Sequence, residues 1–468
     1  MTEKRKRKLA MPDTLIIVAS VVLLVAILSW IIPSGTYDYQ EMDINGRVRN
    51  VAIDGTYHTI DKTDVTTTGF LGFFSVLYRG CVEAADVIFM ILCCCGTFGV
   101  VVKTGAFHAG IGTILKKLKG KEILLVPIIM LIFGLGGSVF GMASEFYGFY
   151  PLIVGLGVAL GYDAMFGFAI IAVGEFVGFM GATLNPYSVG IAQTISGVEL
   201  YSGTGYRAIC FSIFMLISIV YVMLYGRKIK KNPGASVVFG EKNIHAFDRD
   251  ELNEYSFTLK DGLVLLDVLV VLVVLMLGLI KWGWDFPQLC GLFLLMSMIA
   301  AAICKWSPNK WCSEFIDSAK TAMWGCILTG IAKAITVVMQ DAQIMDTVIY
   351  GLSNVLKNAP HAVSAQVMLV VQTLINFFIP SATGQASATM PIMAQLADII
   401  GVSRQTAVLA FQFGDGLSNI FWPTADIVII CGLGGISLQK WYKWFTPLFL
   451  ILFVTQAILL GIATGIGF

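Results

Sequence analysis

Acidic residues deep inside apolar stretches are the features of this chain best suited to chemistry. Glu175 and Asp415 each lie about ten residues inside an apolar segment, roughly 15 Å deep at the helical rise of about 1.5 Å per residue. That depth is near the middle of a hydrocarbon core about 30 Å thick. A charge there costs roughly 2.5–3.5 kcal/mol on insertion scales, so such residues face a cavity or a partner. The structural alternative is an acid satisfied by neighbouring helices.

Lys333 supplies the opposite charge at a similar depth. It is either a counter-ion for Asp415 or Glu175, or a contact for the carboxylate of a substrate. Asp426, which follows a break in the last third of the chain, is a further candidate acid.

Other residue types give no catalytic or metal-binding pattern. The run Cys93–Cys95 lacks the spacing of a zinc site and is typical of small apolar filler. The histidines are scattered without a nucleophile or metal set: His58, His108, His245 and His361. A membrane-embedded hydrolase is therefore disfavoured, as is a channel or receptor. No cofactor is expected, and a net charge of +1 gives no reason to expect nucleic acid.

Two apolar segments are interrupted by turn residues, at Thr183–Pro186 and near Asn419–Thr424. Backbone that leaves a helix within hydrocarbon survives only beside protein or a wet cavity. Asn185 is predicted to be an N-cap, with Pro186 the first residue of an outer half-helix. Freed amides favour an anion and the opposing carbonyl end favours a cation. The simpler alternative is a proline kink.

Each interruption follows a pair of apolar arms with a small, polar middle. The first pair covers 122–160 and the second covers 361–400, which predicts two re-entrant hairpins. At an offset of 240 residues, Pro151 matches Pro391 and Glu175 matches Asp415. The agreement of hairpin, break and acid in one order predicts an internal repeat.

The composition of the chain indicates that the protein lies in a lipid bilayer. The chain is 57% hydrophobic and 13% charged, with a mean hydropathy of +0.81, against roughly 25% charged residues in soluble domains. The stretch from Thr14 to Ile32 is long enough for an uncleaved first membrane helix. Lys4 to Lys8 before it predict a cytoplasmic N-terminus. Span counting then gives an extracytoplasmic C-terminus and an inner-membrane, multi-pass protein.

The predicted fold is all-α, with two inverted repeats that each carry a re-entrant hairpin and a broken helix. The predicted parts are 1–225 for the first repeat, 226–260 for a cytoplasmic linker, 261–445 for the second repeat, and 446–468 for a final helix. Further helices are predicted at 85–103, 208–225, 262–282, 287–304 and 321–340, with interfacial stretches at 70–83 and 308–320. The first hairpin is expected to open to the cytoplasm and the second to the outside.

Three stretches carry a family resemblance: GMASEFYGFYPL, GFMGATLNPYSVGIAQ and IPSATGQASATMPIMAQLADIIGVSRQTAVLAFQFGDGLSNIFWPT. They resemble the YfcC family, which belongs with C4-dicarboxylate anaerobic carriers and ArcD-type basic amino acid antiporters in the ion transporter superfamily. The resemblance implies a scaffold, a mobile transport domain, elevator-type motion and a homodimer. It also implies that Asn185, Asn419 and the tips around Ser138 and Ser381 line the ion and substrate sites. Sodium-binding members have Ser-Asn-Thr tips, which this chain lacks.

Two transport hypotheses follow. The first is exchange of a basic amino acid, such as arginine for ornithine, with acids holding the cationic groups and Lys333 or half-helix N-termini holding the carboxylate. The second is sodium- or proton-coupled uptake of a carboxylate or short peptide. The predicted substrate contacts are Ser138, Ser144, Glu145, Glu175, Asn185, Lys333, Ser381, Thr383, Gly384, Gln385, Asp415, Asn419, Thr424 and Asp426. A possible sodium ion is placed near Thr183, Asn185, Ser418 and Asn419.

Overall fold

A computed structural model describes residues 13–44, 47–118, 122–241, 245, 257–357 and 363–468. Seven of the described helices are long and apolar enough to cross a membrane, which confirms the prediction of a multi-pass helical membrane protein. Lys4 to Lys8, on which the cytoplasmic placement of the N-terminus rests, lie outside the described residues. So do positions 246–256 of the predicted linker.

The first half begins with α1, whose N-terminus is capped by the side chain of Asp13. Its described α-helices are α1 (Thr14–Ile31), α2 (Phe70–Glu83), α3 (Ala85–Lys103), α4 (Ala106–Leu118), α5 (Leu125–Leu135), α6 (Phe149–Ala159), α7 (Ala164–Met180), α8 (Val189–Ile195) and α9 (Thr204–Lys231). The arms α5 and α6 form the first hairpin. The interval between α7 and α8 is the first break.

The second half follows a connecting helix, α10 (Leu259–Lys281). Its described α-helices are α11 (Phe286–Ile303), α12 (Pro308–Lys320), α13 (Met323–Asp341), α14 (Met345–Lys357), α15 (Ser364–Phe378), α16 (Ala382–Ile399), α17 (Arg404–Ser418), α18 (Asp426–Gly434) and α19 (Leu438–Ile466). The arms α15 and α16 form the second hairpin. The interval between α17 and α18 is the second break.

The two halves present their helices in the same order and at nearly the same lengths. Helices α1 to α4 contain 18, 14, 19 and 13 residues, and α11 to α14 contain 18, 13, 19 and 13. A hairpin, a broken helix and a long helix then follow in each half, with 28 residues in α9 and 29 in α19. Helices also pack across the halves, α2 along α13 and α3 along α12.

Short strands correct the all-α prediction. The polar segment after α1 contains β1 (Ser34–Thr36), β2 (Tyr39–Ile44), β3 (Arg47–Ala52) and β4 (His58–Ile60). They form two antiparallel pairs, β1 with β4 and β2 with β3.

Asp346 at the start of α14 anchors this β-segment. Its carboxylate accepts the amide of Tyr37 at 3.0 Å and the hydroxyl of Tyr39 at 2.8 Å. Burial, together with this carboxylate, raises the pKa of Tyr39, so its hydroxyl stays a donor. Because the partners lie about 300 residues away along the chain, local patterning does not predict strands of this length.

Glycines let the hairpin arms pack so closely on the broken helices that backbone atoms of the two come into contact. A Cβ at Gly137 would lie 2.5 Å from the carbonyl oxygen of Glu175, and one at Gly178 would clash with the backbone of Gly134. In the second half, a Cβ at Gly414 would lie 2.9 Å from the amide nitrogen of Thr373 in α15. Each hairpin is therefore fixed against the broken helix of its own half.

Candidate functional site

The tip of the first hairpin folds into the first break. A π-helical turn over Gly136–Phe140 follows α5, and Ser138 within it is fully buried. The Ser138 hydroxyl donates to the carbonyl of Gly181 at 3.0 Å. The amide of Thr183 donates to the Ser138 carbonyl at 2.9 Å. The tip thus supplies partners for backbone groups that the break removes from helix.

Asn185 caps a turn inside the first break. Its Oδ1 accepts the amides of Tyr187 at 2.9 Å and Ser188 at 3.2 Å. Helix α8 begins only at Val189, so the prediction that Pro186 starts the outer half-helix is wrong. The Asn185 side chain accepts the hydrogen bonds of those two amides, so the helix begins several residues later than predicted.

Glu175 and Glu145 are buried around the first hairpin. Glu175 Oε2 accepts the hydroxyl of Tyr150 at 2.9 Å, while its Oε1 is buried without a partner. Glu145 Oε2 accepts the amide of Ala143 at 3.0 Å. These hydrogen bonds hold both carboxylates within the first hairpin and the helix it packs on.

A buried polar network joins the second hairpin to α17. Asn376 Nδ2 donates to Asp415 Oδ1 at 2.8 Å and to Gln385 Oε1 at 3.2 Å. Gln385 Nε2 donates to Gln372 Oε1 at 2.7 Å. Asn419 also bonds to the Asp415 carboxyl, and no described group meets Asp415 Oδ2 at hydrogen-bond geometry. In the described part of the chain, Lys333 forms no ion pair with Asp415 or Glu175, so the counter-ion alternative finds no support in this conformation.

The second break is tied to its hairpin and leaves two polar atoms unpaired. Helix α17 ends at Ser418, and Trp422 Nε1 donates to the carbonyl of Thr373 in α15 at 2.6 Å. Asn419 Oδ1 and Thr424 Oγ1, two atoms of predicted site residues, are buried and have no hydrogen-bond partner among the described residues. Unpaired buried oxygens are rare in folded proteins and call for a ligand, an ion or water.

Each hairpin tip also contacts the break of the opposite half. The hydroxyl of Tyr147 donates to Asp426 Oδ1 at 2.8 Å. The hydroxyl of Thr383 donates to the carbonyl of Tyr187 at 2.9 Å. The two tips and the two breaks, which are far apart in sequence, therefore form one cluster.

A cavity of about 540 Å³ lies where this cluster meets α13. That volume falls within the range of roughly 300–1,000 Å³ typical of small-molecule sites. Lys333 and Asp426 bring opposite charges to its wall, and Glu83 adds a second acid. Six predicted site residues line the cavity: Ser144, Lys333, Ser381, Gly384, Thr424 and Asp426.

The remaining predicted site residues do not line this cavity. They are Ser138, Glu145, Glu175, Asn185, Thr383, Gln385, Asp415 and Asn419. Most of their polar atoms hydrogen-bond within the hairpins and breaks. These residues therefore support the backbone that lines the cavity.

The four residues of the predicted sodium site are all described. Thr183 Oγ1 contacts the Ser138 hydroxyl at 3.1 Å, and Asn185 Oδ1 accepts backbone amides. Asn419 Oδ1 is unpaired. Within the described ranges no three His, Cys, Asp or Glu side chains cluster as a metal site would. Sodium prefers oxygen ligands of other kinds, so this site stays a prediction.

Sequence reasoning missed four functional candidates: Tyr147, Tyr150, Gln372 and Asn376. The tyrosines follow the first tip and are the donors to two of the predicted acids. Gln372 and Asn376 are four residues apart in an apolar arm, so they lie on one helix face. The signal in the sequence was a pair of side-chain amides within an otherwise apolar helix.

Comparison with known proteins identifies the family of this chain. The family model described as the C4-dicarboxylate anaerobic carrier matches residues 11–465. The chain belongs to the C4-dicarboxylate anaerobic carrier family. It is 32% identical to the protein called putative basic amino acid antiporter YfcC of Escherichia coli strain K12, over 99% of this chain and 98% of that one. This confirms the resemblance to the YfcC family.

Another member comes from Haemophilus influenzae and bears no functional name. It is 27% identical over 99% of each chain. Two solved transporters align over nearly the full length at 15% identity and a TM-score of 0.44, YdaH of Alcanivorax borkumensis and MtrF of Neisseria gonorrhoeae. Family membership and the apolar helices together make this chain an integral membrane transporter.

Proposed function

We propose that the chain is a secondary transporter that exchanges basic amino acids, such as arginine for ornithine, across the inner membrane. One observation carries the proposal: a single cavity between both hairpin tips and α13 contains Lys333 and Asp426. A basic amino acid has a carboxylate and cationic groups, which these two side chains complement. The name of the Escherichia coli relative supports the same substrate class.

Asp426 is the predicted acid that faces the cavity, so we assign to it a cationic group of the substrate. Lys333, which also lines the cavity, is assigned the carboxylate. Glu145, Glu175 and Asp415 lie behind the tips, and a substrate would meet them only after a hairpin opens. Exchange of two substrates of equal charge needs no coupling ion.

Purified protein in liposomes tests this assignment. Vesicles loaded with ornithine should take up labelled arginine, and empty vesicles should not. Lys333→Gln and Asp426→Asn should each reduce exchange by roughly tenfold or more, as expected when a charge-assisted contact is lost. Lys320→Gln and Asp317→Asn, which alter an exposed ion pair on α12, should leave it unchanged. No exchange across a panel of basic amino acids would reject the proposal.

Ion-coupled uptake of a carboxylate or short peptide is the second candidate. The unpaired oxygens of Asn419 and Thr424 near the second break favour it, since they suit a hard cation such as sodium. The description of the family as carriers of C4-dicarboxylates favours a carboxylate. Uptake that persists after both the sodium and the proton gradient are collapsed would exclude this candidate.

We further propose that the two halves are inverted repeats that move as an elevator in a homodimer. Matched helix lengths and the reciprocal packing of α2 on α13 and of α3 on α12 support the repeat. The cavity is lined by residues of α2 and α13 and by residues of the tips and the second break, which suits a mobile part sliding on a scaffold. In this scheme the N-terminus is cytoplasmic, the C-terminus is extracytoplasmic, and α9 and α19 travel with the hairpins.

A further inference from the structure

Tyr147 occupies one oxygen of the cavity carboxylate. It lies in the first hairpin tip, is 2% exposed, and donates to Asp426 Oδ1 at 2.8 Å. Both residues line the cavity. Among the described residues no other side chain donates to Asp426. The amide of Asp426 itself also bonds to this carboxylate, so the tyrosine is its one side-chain donor in the described ranges and the remaining acceptor capacity is left for a ligand.

The position of Asp426 in the chain indicates that the ligand beside it carries a positive charge. It is the first residue of α18, and the preceding Ala425 provides no side-chain cap. A carboxylate in the first turn complements the positive end of the helix dipole. The amide of Ile427 already donates to the carbonyl of Asn419 at 3.0 Å, so the group that the chain presents to the cavity here is the Asp426 carboxylate, which disfavours a substrate anion and favours a cation.

We infer that Tyr147 makes this position selective for an ammonium group over a guanidinium group. A guanidinium binds a carboxylate best through two parallel hydrogen bonds and needs both oxygens. An ammonium is a compact point charge and needs only one. The inference rests on the proposed exchange of basic amino acids. It places at Asp426 the ammonium that arginine and ornithine share, rather than the side-chain guanidinium.

A second tyrosine–carboxylate pair provides the matched control. Tyr225 in α9 donates to Asp163 Oδ2 at 2.5 Å, and neither residue lines the cavity. Loss of that hydroxyl removes a comparable hydrogen bond without exposing an oxygen to the substrate.

Two compounds that carry one cation each, one carbon from the carboxylate, separate the alternatives: glycine and guanidinoacetate. Each is tested as an inhibitor of labelled ornithine exchange in proteoliposomes. The wild type should bind glycine more tightly. Tyr147→Phe frees Oδ1 and should shift the ratio of inhibition constants toward guanidinoacetate by roughly three- to tenfold. Tyr225→Phe should leave the ratio unchanged, and Asp426→Asn should bring it close to one.

An unchanged ratio in an active Tyr147→Phe variant, with discrimination intact in Asp426→Asn, overturns the inference and leaves basic amino acid exchange standing. A wild type that exchanges no basic amino acid overturns the proposed function. In that case the two compounds are compared by the shift in melting temperature of the purified protein. No stabilisation by either compound, or equal stabilisation in wild type and Tyr147→Phe, then overturns the inference too.

Discussion

At the scale of single residues, each of the two deepest acids keeps one oxygen that no described group meets at hydrogen-bond geometry. Tyr150 donates to one oxygen of Glu175, and Asn376 donates to one oxygen of Asp415. Asn419 also bonds to the Asp415 carboxyl. A buried charge that lacks a cation costs several kcal/mol, so these oxygens suit a proton or a cation that arrives with the transport cycle.

The bond between Tyr150 and Glu175 should contribute measurably to stability. Tyr150→Phe removes a donor to a buried carboxyl, so we expect the free energy of unfolding to fall by about 1.5–3 kcal/mol. The melting temperature in detergent measures the effect. Tyr78→Phe is the matched control, because Tyr78 is 72% exposed on α2 and no change is expected. Equal melting temperatures for the two variants would contradict the assignment.

Sequence patterns singled out the deep acids and the lysine as candidates but not the neutral residues that bond to the acids. Depth within an apolar segment marks Glu175, Asp415 and Lys333 because charge is costly there. Tyr147 and Asn376 are compatible with many membrane environments, so composition does not single them out. Their roles depend on contacts between segments 39 and 279 residues apart, which local patterns do not encode.

At the scale of elements, the positions of hairpins and breaks could be read from the sequence, and the helix ends less well. The bounds of α2 and α12 match the predicted 70–83 and 308–320. Helix α9 extends past the predicted 208–225 because the basic residues after it continue the helix to Lys231. The final helix starts at Leu438 rather than 446 for a similar reason, since Lys440 and Lys443 lie on its first turns.

One helix and four strands were missed for a different reason. Helix α14 is amphipathic and short, and it resembles a loop when judged by hydropathy alone. The four strands are each three to six residues long and pack on one another, with β1 also against α14 and β3 against α16. Pairing between distant segments overrides local propensity in both cases.

Glycine packing between the first hairpin and α7 gives a prediction at this scale. Gly178→Ala would push a methyl group into the backbone of Gly134, so we expect a loss of about 1–3 kcal/mol in stability and a strong loss of exchange. Gly205→Ala meets nothing within 4 Å and should be neutral or slightly stabilising. Thermal melts and proteoliposome exchange report the two effects. A stable, active Gly178→Ala variant would show that the arm does not pack as described.

At the scale of the whole molecule, inversion of the two halves predicts which loops face each side. Glu199, between α8 and α9, and Lys310, in α12, are both exposed. In a background lacking the ten cysteines, we expect a membrane-impermeant maleimide to label Glu199→Cys in intact cells. Lys310→Cys should be labelled only after the membrane is opened. Labelling of both from the same side would reject the inverted arrangement.

The account as a whole depends on both hairpin tips and the second break forming one substrate site against α13. A cryo-electron microscopy map of the purified protein with ornithine tests this most directly. We expect ligand density within the cavity, with its carboxylate toward Lys333 and an ammonium beside Asp426, and non-helical backbone at 181–188 and 419–425. Continuous helices through those residues, or ligand density remote from both charges, would contradict it.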